Sequence, residues 1–168
     1  MSLLAKAHQV TGEQHYHEAA LKKALLGVIP GQLNDGPRAG RWLDPHNARP
    51  AYHYIMMASL TRLAAALPAD HTDRTAILHS LQLGLSTRNH EMAAKGVMNK
   101  DSAMECLLIT TKLFRHDTDF LNETRTSAAL DVLLRLASEE YRRGKLPLGP
   151  RSWGEMLEHL AQPKSTIR

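Results

Sequence analysis

The chain has 168 residues, 43% of them hydrophobic and 23% charged, which supports one folded domain with a continuous core and excludes wholesale disorder. Its formal charge of +4 belongs to the end of the chain. There Arg142, Arg143, Lys145, Arg151, Lys164 and Arg168 face only Glu155 and Glu158, so residues 1–141 are balanced; with aromatics at 5%, this argues against a broad nucleic-acid-binding surface.

No apolar run approaches the roughly 20 residues of a membrane-spanning helix. Met1-Ser2-Leu3-Leu4-Ala5-Lys6 shows no secretory pattern. A single cysteine, Cys106, excludes an internal disulfide framework and leads us to expect a cytoplasmic setting.

In chain order, the periodicity is helical. Residues 2–28 read as two helices around the turn Thr11-Gly12-Glu13. After Pro50, apolar Tyr52, Ile55, Met56, Leu60, Leu63 and Leu67 recur every three or four residues and stop at Pro68. Thr72-Asp73 introduces Ile77, Leu78, Leu81 and Leu85, completing a second hairpin over 50–90. Ser102-Ala103-Met104-Glu105 has the form of a capping box and precedes Leu107, Leu108 and Thr111. Leu130, Leu133, Leu134, Ala137 and Tyr141 form another stripe, closed by Arg142-Arg143-Gly144, which gives a third hairpin over 100–143. A second capping box, Ser152-Trp153-Gly154-Glu155, starts a short helix over 152–161, and 163–168 reads as a flexible tail.

An internal repeat links these units. Residues 2–27 align without gaps on 59–84, pairing Leu3 with Leu60, Ala7 with Ala64, Ala19 with Ala76 and Gly27 with Gly84. A looser third copy runs from Leu107 through an Asp117–Asn122 turn to Ala128, Ala129 and Leu130. The expectation is an all-α domain over 1–162: three stacked helical hairpins, an α/α superhelix or half-toroid, plus the C-terminal helix.

The stretch from Leu3 to Leu21 combines an apolar helix, Thr11-Gly12-Glu13, the aromatic Tyr16 and Glu18-Ala19-Ala20-Leu21. It resembles the hairpins of α/α-toroid proteins, the broad group of six-hairpin glycosidases, sugar epimerases and polysaccharide lyases. The resemblance implies a ring built from hairpins, but a closed ring in that group uses about twelve helices and this chain supplies six or seven. The resemblance therefore implies a half-ring, an open superhelix or a fragment that closes with another chain. No catalytic motif of the group is present to be carried over.

The connection between the first two hairpins, residues 31–53, is rich in glycine and proline and dense in chemistry-bearing side chains. Long connections in compact domains are commonly functional or disordered. We select Arg41, Trp42, Asp44, His46, Asn47, Arg49, Tyr52 and His53, with Lys100 and Asp101 expected on the same edge, as candidates for binding a carbohydrate or a carboxylate. The structural alternative has Asp44 and Asn47 capping turns, Arg49 paired with an acid and Trp42 plugging the hairpin end.

Ten histidines show no metal-ligand spacing; His15 and His17, two apart, point to opposed sides of a helix. His46 and His53, seven apart with Asp44 as a carboxylate, are the nearest approach to a ligand set. Gly-x-Ser-x-Gly and phosphate-loop motifs are absent, and Cys106 reads as a core thiol. No cofactor is expected. Two functions follow: a helical-repeat binding or interaction protein with its ligand site on the 31–53 edge, or a half-toroid carbohydrate-active enzyme. Self-association is expected in either, through the 2–10 or the 152–161 helix, because a helical stack has ends to cover.

Overall fold

A computed structural model describes residues 1–43, 49–96, 100–146 and 148–161. Among them the chain is all-α, with eight α-helices and no strand. Helices α1 (Ser2–Thr11) and α2 (Gln14–Lys23) meet at a tight turn. Gly12 closes α1 in the left-handed region, φ 73°, and donates its N–H to the His8 carbonyl at 2.8 Å, the conformation glycine adopts without steric cost. Past α2 the chain widens into a π-helical turn, Ala24–Val28, and then a 3-10 turn, Ile29–Gly31, carrying Pro30.

Helix α3 (Pro50–Ala66) opens on Pro50, whose fixed φ suits a first helical position. His71 caps α4 (Thr72–Lys95) by accepting the Asp73 N–H at 3.2 Å on Nδ1. Helices α5 (Lys100–Leu113), α6 (Thr118–Glu123), α7 (Thr126–Arg142) and α8 (Pro150–Ala161) follow.

Helix α1 packs on α2, α3 on α4, and α5 on α7, while α1, α3, α5 and α8 lie side by side in sequence as one layer. The core runs through Met57, Leu60 and Leu63 of α3, Ile77, Leu81 and Leu85 of α4, Met104, Leu107 and Leu108 of α5, and Leu133 of α7. Each such side chain contributes about 1.5–3 kcal/mol by leaving water. At the α3–α5 contact the Thr61 and Thr110 hydroxyls lie 3.1 Å apart, each also within reach of a carbonyl one turn back, so one donates to the other, which donates to its carbonyl. Both polar groups are thereby satisfied where the helices pack closely. Cys106 lies in this core, and burial pushes its thiol up to about 12.

Several expectations are corrected. In α3 the buried face is His53, Tyr54, Met57, Leu60, Thr61 and Ala64, and Tyr52 and Ile55 are exposed; the polar His53 takes the inward position because α4 offers it partners. Helix α5 begins at Lys100 and α8 at Pro150, so Ser102 and Ser152 sit inside their first turns. Ser152 gives its hydroxyl to the Asp101 carbonyl, 2.9 Å away on α5, a tertiary contact that replaces the expected cap. The Asp117–Asn122 turn contains a helix: Asp117 caps α6 by accepting the Phe120 N–H at 3.1 Å, and Phe120 stacks on Phe114 with centroids 4.8 Å apart. Tyr141 is exposed. The expected 163–168 tail lies outside the described residues.

Candidate ligand site on the loop edge

Residues 32–42 form a closed excursion that folds down on the middle of α4. Its neck is an antiparallel bridge between Gln32 and Trp42, reinforced by Leu33 N–H to the Arg41 carbonyl at 2.9 Å and Gly40 N–H to the Leu33 carbonyl at 2.7 Å. The buried Gln32 amide donates to the Gly40 carbonyl at 3.2 Å and the Ser80 carbonyl at 3.0 Å, and its oxygen accepts from the Ser80 hydroxyl. Thr87 donates to the Ala39 carbonyl at 2.7 Å. Gly40, φ 81°, lies so close to α4 that a Cβ would stand 2.4 Å from the Leu83 carbonyl oxygen. No other residue fits that approach.

The loop delivers Trp42 and Arg41 to different tasks. Trp42 is 3% exposed and donates its indole N–H to the Val28 carbonyl at 2.7 Å. It meets His53 edge-on, centroids 5.2 Å apart. The ring is a plug and leaves no open face for stacking on a sugar. Arg41 turns to α4, where its guanidinium pairs with Glu91.

Beneath Arg41 lies a buried polar chain. Glu91 pairs with Arg41 through one carboxylate oxygen and with Arg88 through the other, and Arg88 Nε donates to His53 Nδ1 at 2.8 Å. His53 Nε2 faces the Trp42 carbonyl oxygen at 3.2 Å. A carbonyl only accepts, so Nε2 carries the proton and Nδ1 is left as the acceptor that Arg88 requires. This geometry holds His53 as the neutral Nε2–H tautomer. Burial, reinforced by Arg41, lowers Arg88 to about 10, which leaves it charged at neutral pH. Tyr54 stands against the same group, and burial raises its phenol above the ordinary value.

Above this chain, between the excursion, α4 and the α6–α7 junction, opens a cavity of about 500 Å³ lined by Gly36, Arg41, Thr87, His90, Glu91 and Arg125 among others. Arg125 enters it from a strained backbone. It is non-glycine at φ 55°, between α6 and α7. The buried hydroxyls of Thr124 and Thr126 turn inward and meet at 2.7 Å, and Asn89 Nδ2 donates to the Thr124 carbonyl at 2.8 Å; the residue between them is thereby forced into the left-handed region. Among the described residues the only side-chain partner of Arg125 is His90, whose Nδ1 is 3.2 Å from Nη1. The Arg41 Nε is buried and has no hydrogen-bond partner there.

Of the sequence candidates, Arg41, Trp42 and His53 are brought together. Arg49 is exposed at the N-cap of α3, its carbonyl accepting the Tyr52 N–H at 3.0 Å, and Tyr52 is exposed. Lys100 and Asp101 serve elsewhere: Lys100 pairs with Glu140, and Asp101 accepts the Gly149 N–H at 2.8 Å, tying α5 to the start of α8. Asp44, His46 and Asn47 lie outside the described residues. Among the described residues no group of three or more His, Cys, Asp or Glu side chains is placed to hold a metal ion, and no helix is long and apolar enough to cross a membrane.

Sequence reasoning missed Arg88, Glu91 and Arg125. The first was detectable: the face Ile77, Leu81, Leu85 continues at helical spacing to Arg88 and Met92, which puts an arginine at a core position. Arg125 carried no such signal, since its backbone conformation depends on contacts from α4. No family model, no curated protein and no solved structure matches this chain.

Proposed function

We propose that the protein is a helical-repeat binding protein whose ligand site is the cavity between the 32–42 excursion, α4 and the α6–α7 junction, and that the ligand carries a carboxylate. The observation behind this reading is Arg125: a cation with no acid partner among the described residues, held in a strained conformation at the rim of an open cavity that Arg41 also lines. Strained non-glycine backbone concentrates at functional positions because surrounding structure must sustain its cost. Arginine presents planar, paired donors that match a carboxylate. Glu91 is already shared between Arg41 and Arg88, and Glu123 on the same wall accepts from Gln82, so among the described residues neither glutamate is paired with Arg125. Thr87 and His90 at the wall supply further hydrogen-bonding groups.

The test is thermal stabilisation and calorimetric binding with succinate and citrate, against chloride at matched ionic strength. Binding that disappears in Arg125→Gln supports the reading; absence of any carboxylate effect overturns it. Stabilisation by neutral oligosaccharides, insensitive to Arg125→Gln, favours the half-toroid carbohydrate-active alternative.

A further inference from the structure

A second polar cluster lies at the opposite end of the helices and plays no part in the ligand site. His8 of α1, His17 of α2 and His71 at the cap of α4 face one another. The His8 and His17 ring centroids are 5.0 Å apart and those of His17 and His71 6.2 Å. Three rings from three elements meet here: the first hairpin packs on α3 through α1, and His17 carries its contact with the start of α4. We propose that His8, His17 and His71 form a proton-operated latch that holds the α1–α2 hairpin against the α4 N-terminus at neutral pH and releases it on acidification.

The surroundings of His17 favour its neutral ring. His17 is 9% exposed, and its Nδ1 is buried without a hydrogen-bond partner. Adding a proton there creates a buried cationic donor with no acceptor, at the cost of a desolvated, unpaired charge. His71 Nδ1 accepts the Asp73 N–H at 3.2 Å. A proton on that nitrogen replaces the acceptor with a second donor and breaks the cap of α4. His8 directs Nδ1 at the Glu13 carbonyl, 3.1 Å away, and so presents its other edge to the cluster.

The charged groups around His17 leave its balance with the neutral form. Glu18, on α2 itself, favours the charged form of His17, but burial and the neighbouring His8 and His71 outweigh it and lower His17 below the ordinary histidine value. Asp73 of α4 stands 3.9 Å from His71 Nδ1, and the Glu13 carboxylate is engaged by His15 at 3.3 Å. The sign is explicit. A histidine whose folded value is lowered contributes its full stability above the unfolded value of about 6.5 and loses it as pH falls. Histidine is the side chain whose charge changes in that range.

Release has a route to the rest of the molecule. Helix α1 contributes Leu3, Lys6 and Gln9 to the cavity it shares with α3, α5 and α8. The chain leaving α2 supplies the Val28 carbonyl that anchors Trp42. Acidification therefore loosens one wall of that cavity and one support of the loop edge. The inference does not depend on the identity of any ligand.

The test is amide hydrogen exchange of the full chain at pH 7.5 and 5.5, corrected for intrinsic rates and read by mass spectrometry. On acidification the amides of α1 and α2 should lose about tenfold more protection than those of α3 and α5, the effect of one coupled proton over one pH unit. In His17→Gln/His71→Asn this excess should vanish while protection at pH 7.5 is retained. If the double variant fails to fold, His71→Asn alone, which keeps a capping acceptor, should still reduce the excess. Equal loss of protection in all four helices, or an excess unchanged in these variants, overturns the proposal.

Discussion

Glu91 is the residue on which the buried chain turns, because it neutralises Arg41 and Arg88 at once. Removing one partner of a buried ion pair leaves an uncompensated charge. Glu91→Gln is therefore expected to destabilise the protein by about 3 kcal/mol, measured by chemical denaturation, and to disorder the 32–42 excursion with it. Gly40 is as restrictive for a steric reason. With φ at 81° and a Cβ position 2.4 Å from the Leu83 carbonyl, Gly40→Ala combines left-handed strain with overpacking and should cost roughly 2–4 kcal/mol. Cys106 offers a control for core integrity: buried and with its thiol raised to about 12, it should resist thiol reagents at pH 8 and label only as fast as the protein unfolds. A rapid native-state reaction would contradict that placement.

At the scale of elements, the α6–α7 junction and the α5–α8 contact carry distinct roles. Arg125→Gly relieves the left-handed backbone and should raise stability by roughly 0.5–1 kcal/mol, while abolishing carboxylate binding. Such a trade of stability against binding separates a functional arginine from a structural one. At α5, Asp101 holds the Gly149 amide and its carbonyl receives Ser152; Asp101→Ala should selectively raise hydrogen exchange in α8 while leaving α3 and α4 protected. Helix positions were legible from apolar spacing because Ile77, Leu81, Leu85 and Leu133 face the core as their periodicity requires. Helix starts were less so. Ser102 and Ser152 match local cap patterns, but Pro150 sets the start of α8 and Asp101 recruits the Ser152 hydroxyl, and neither competition is visible in a four-residue window.

For the whole molecule, both ends of the layer α1, α3, α5, α8 expose apolar side chains: Leu3 and Val10 on α1, Leu157 and Leu160 on α8. End helices of a stack need a polar outer face or a partner. We expect self-association through these helices, seen as a concentration-dependent sedimentation coefficient that Leu157→Glu/Leu160→Glu reduces. A concentration-independent monomer would contradict it.

The sequence by itself determined that the chain is helical, where its apolar faces lie and that Cys106 is internal, because these follow from local periodicity and from the free energy of burying apolar surface. It also marked residues 31–53 as chemically dense, with Arg41, Trp42 and His53 among the eight candidates there. Only the tertiary structure decided their roles. Trp42 became a buried plug, His53 the acceptor of an arginine 35 residues away, and Lys100 and Asp101 were drawn to Glu140 and the start of α8. The reason is that a polar side chain takes its role from whichever partner satisfies it in the folded state. Those partners, like the backbone strain at Arg125 and the meeting of His8, His17 and His71, come from segments distant in sequence.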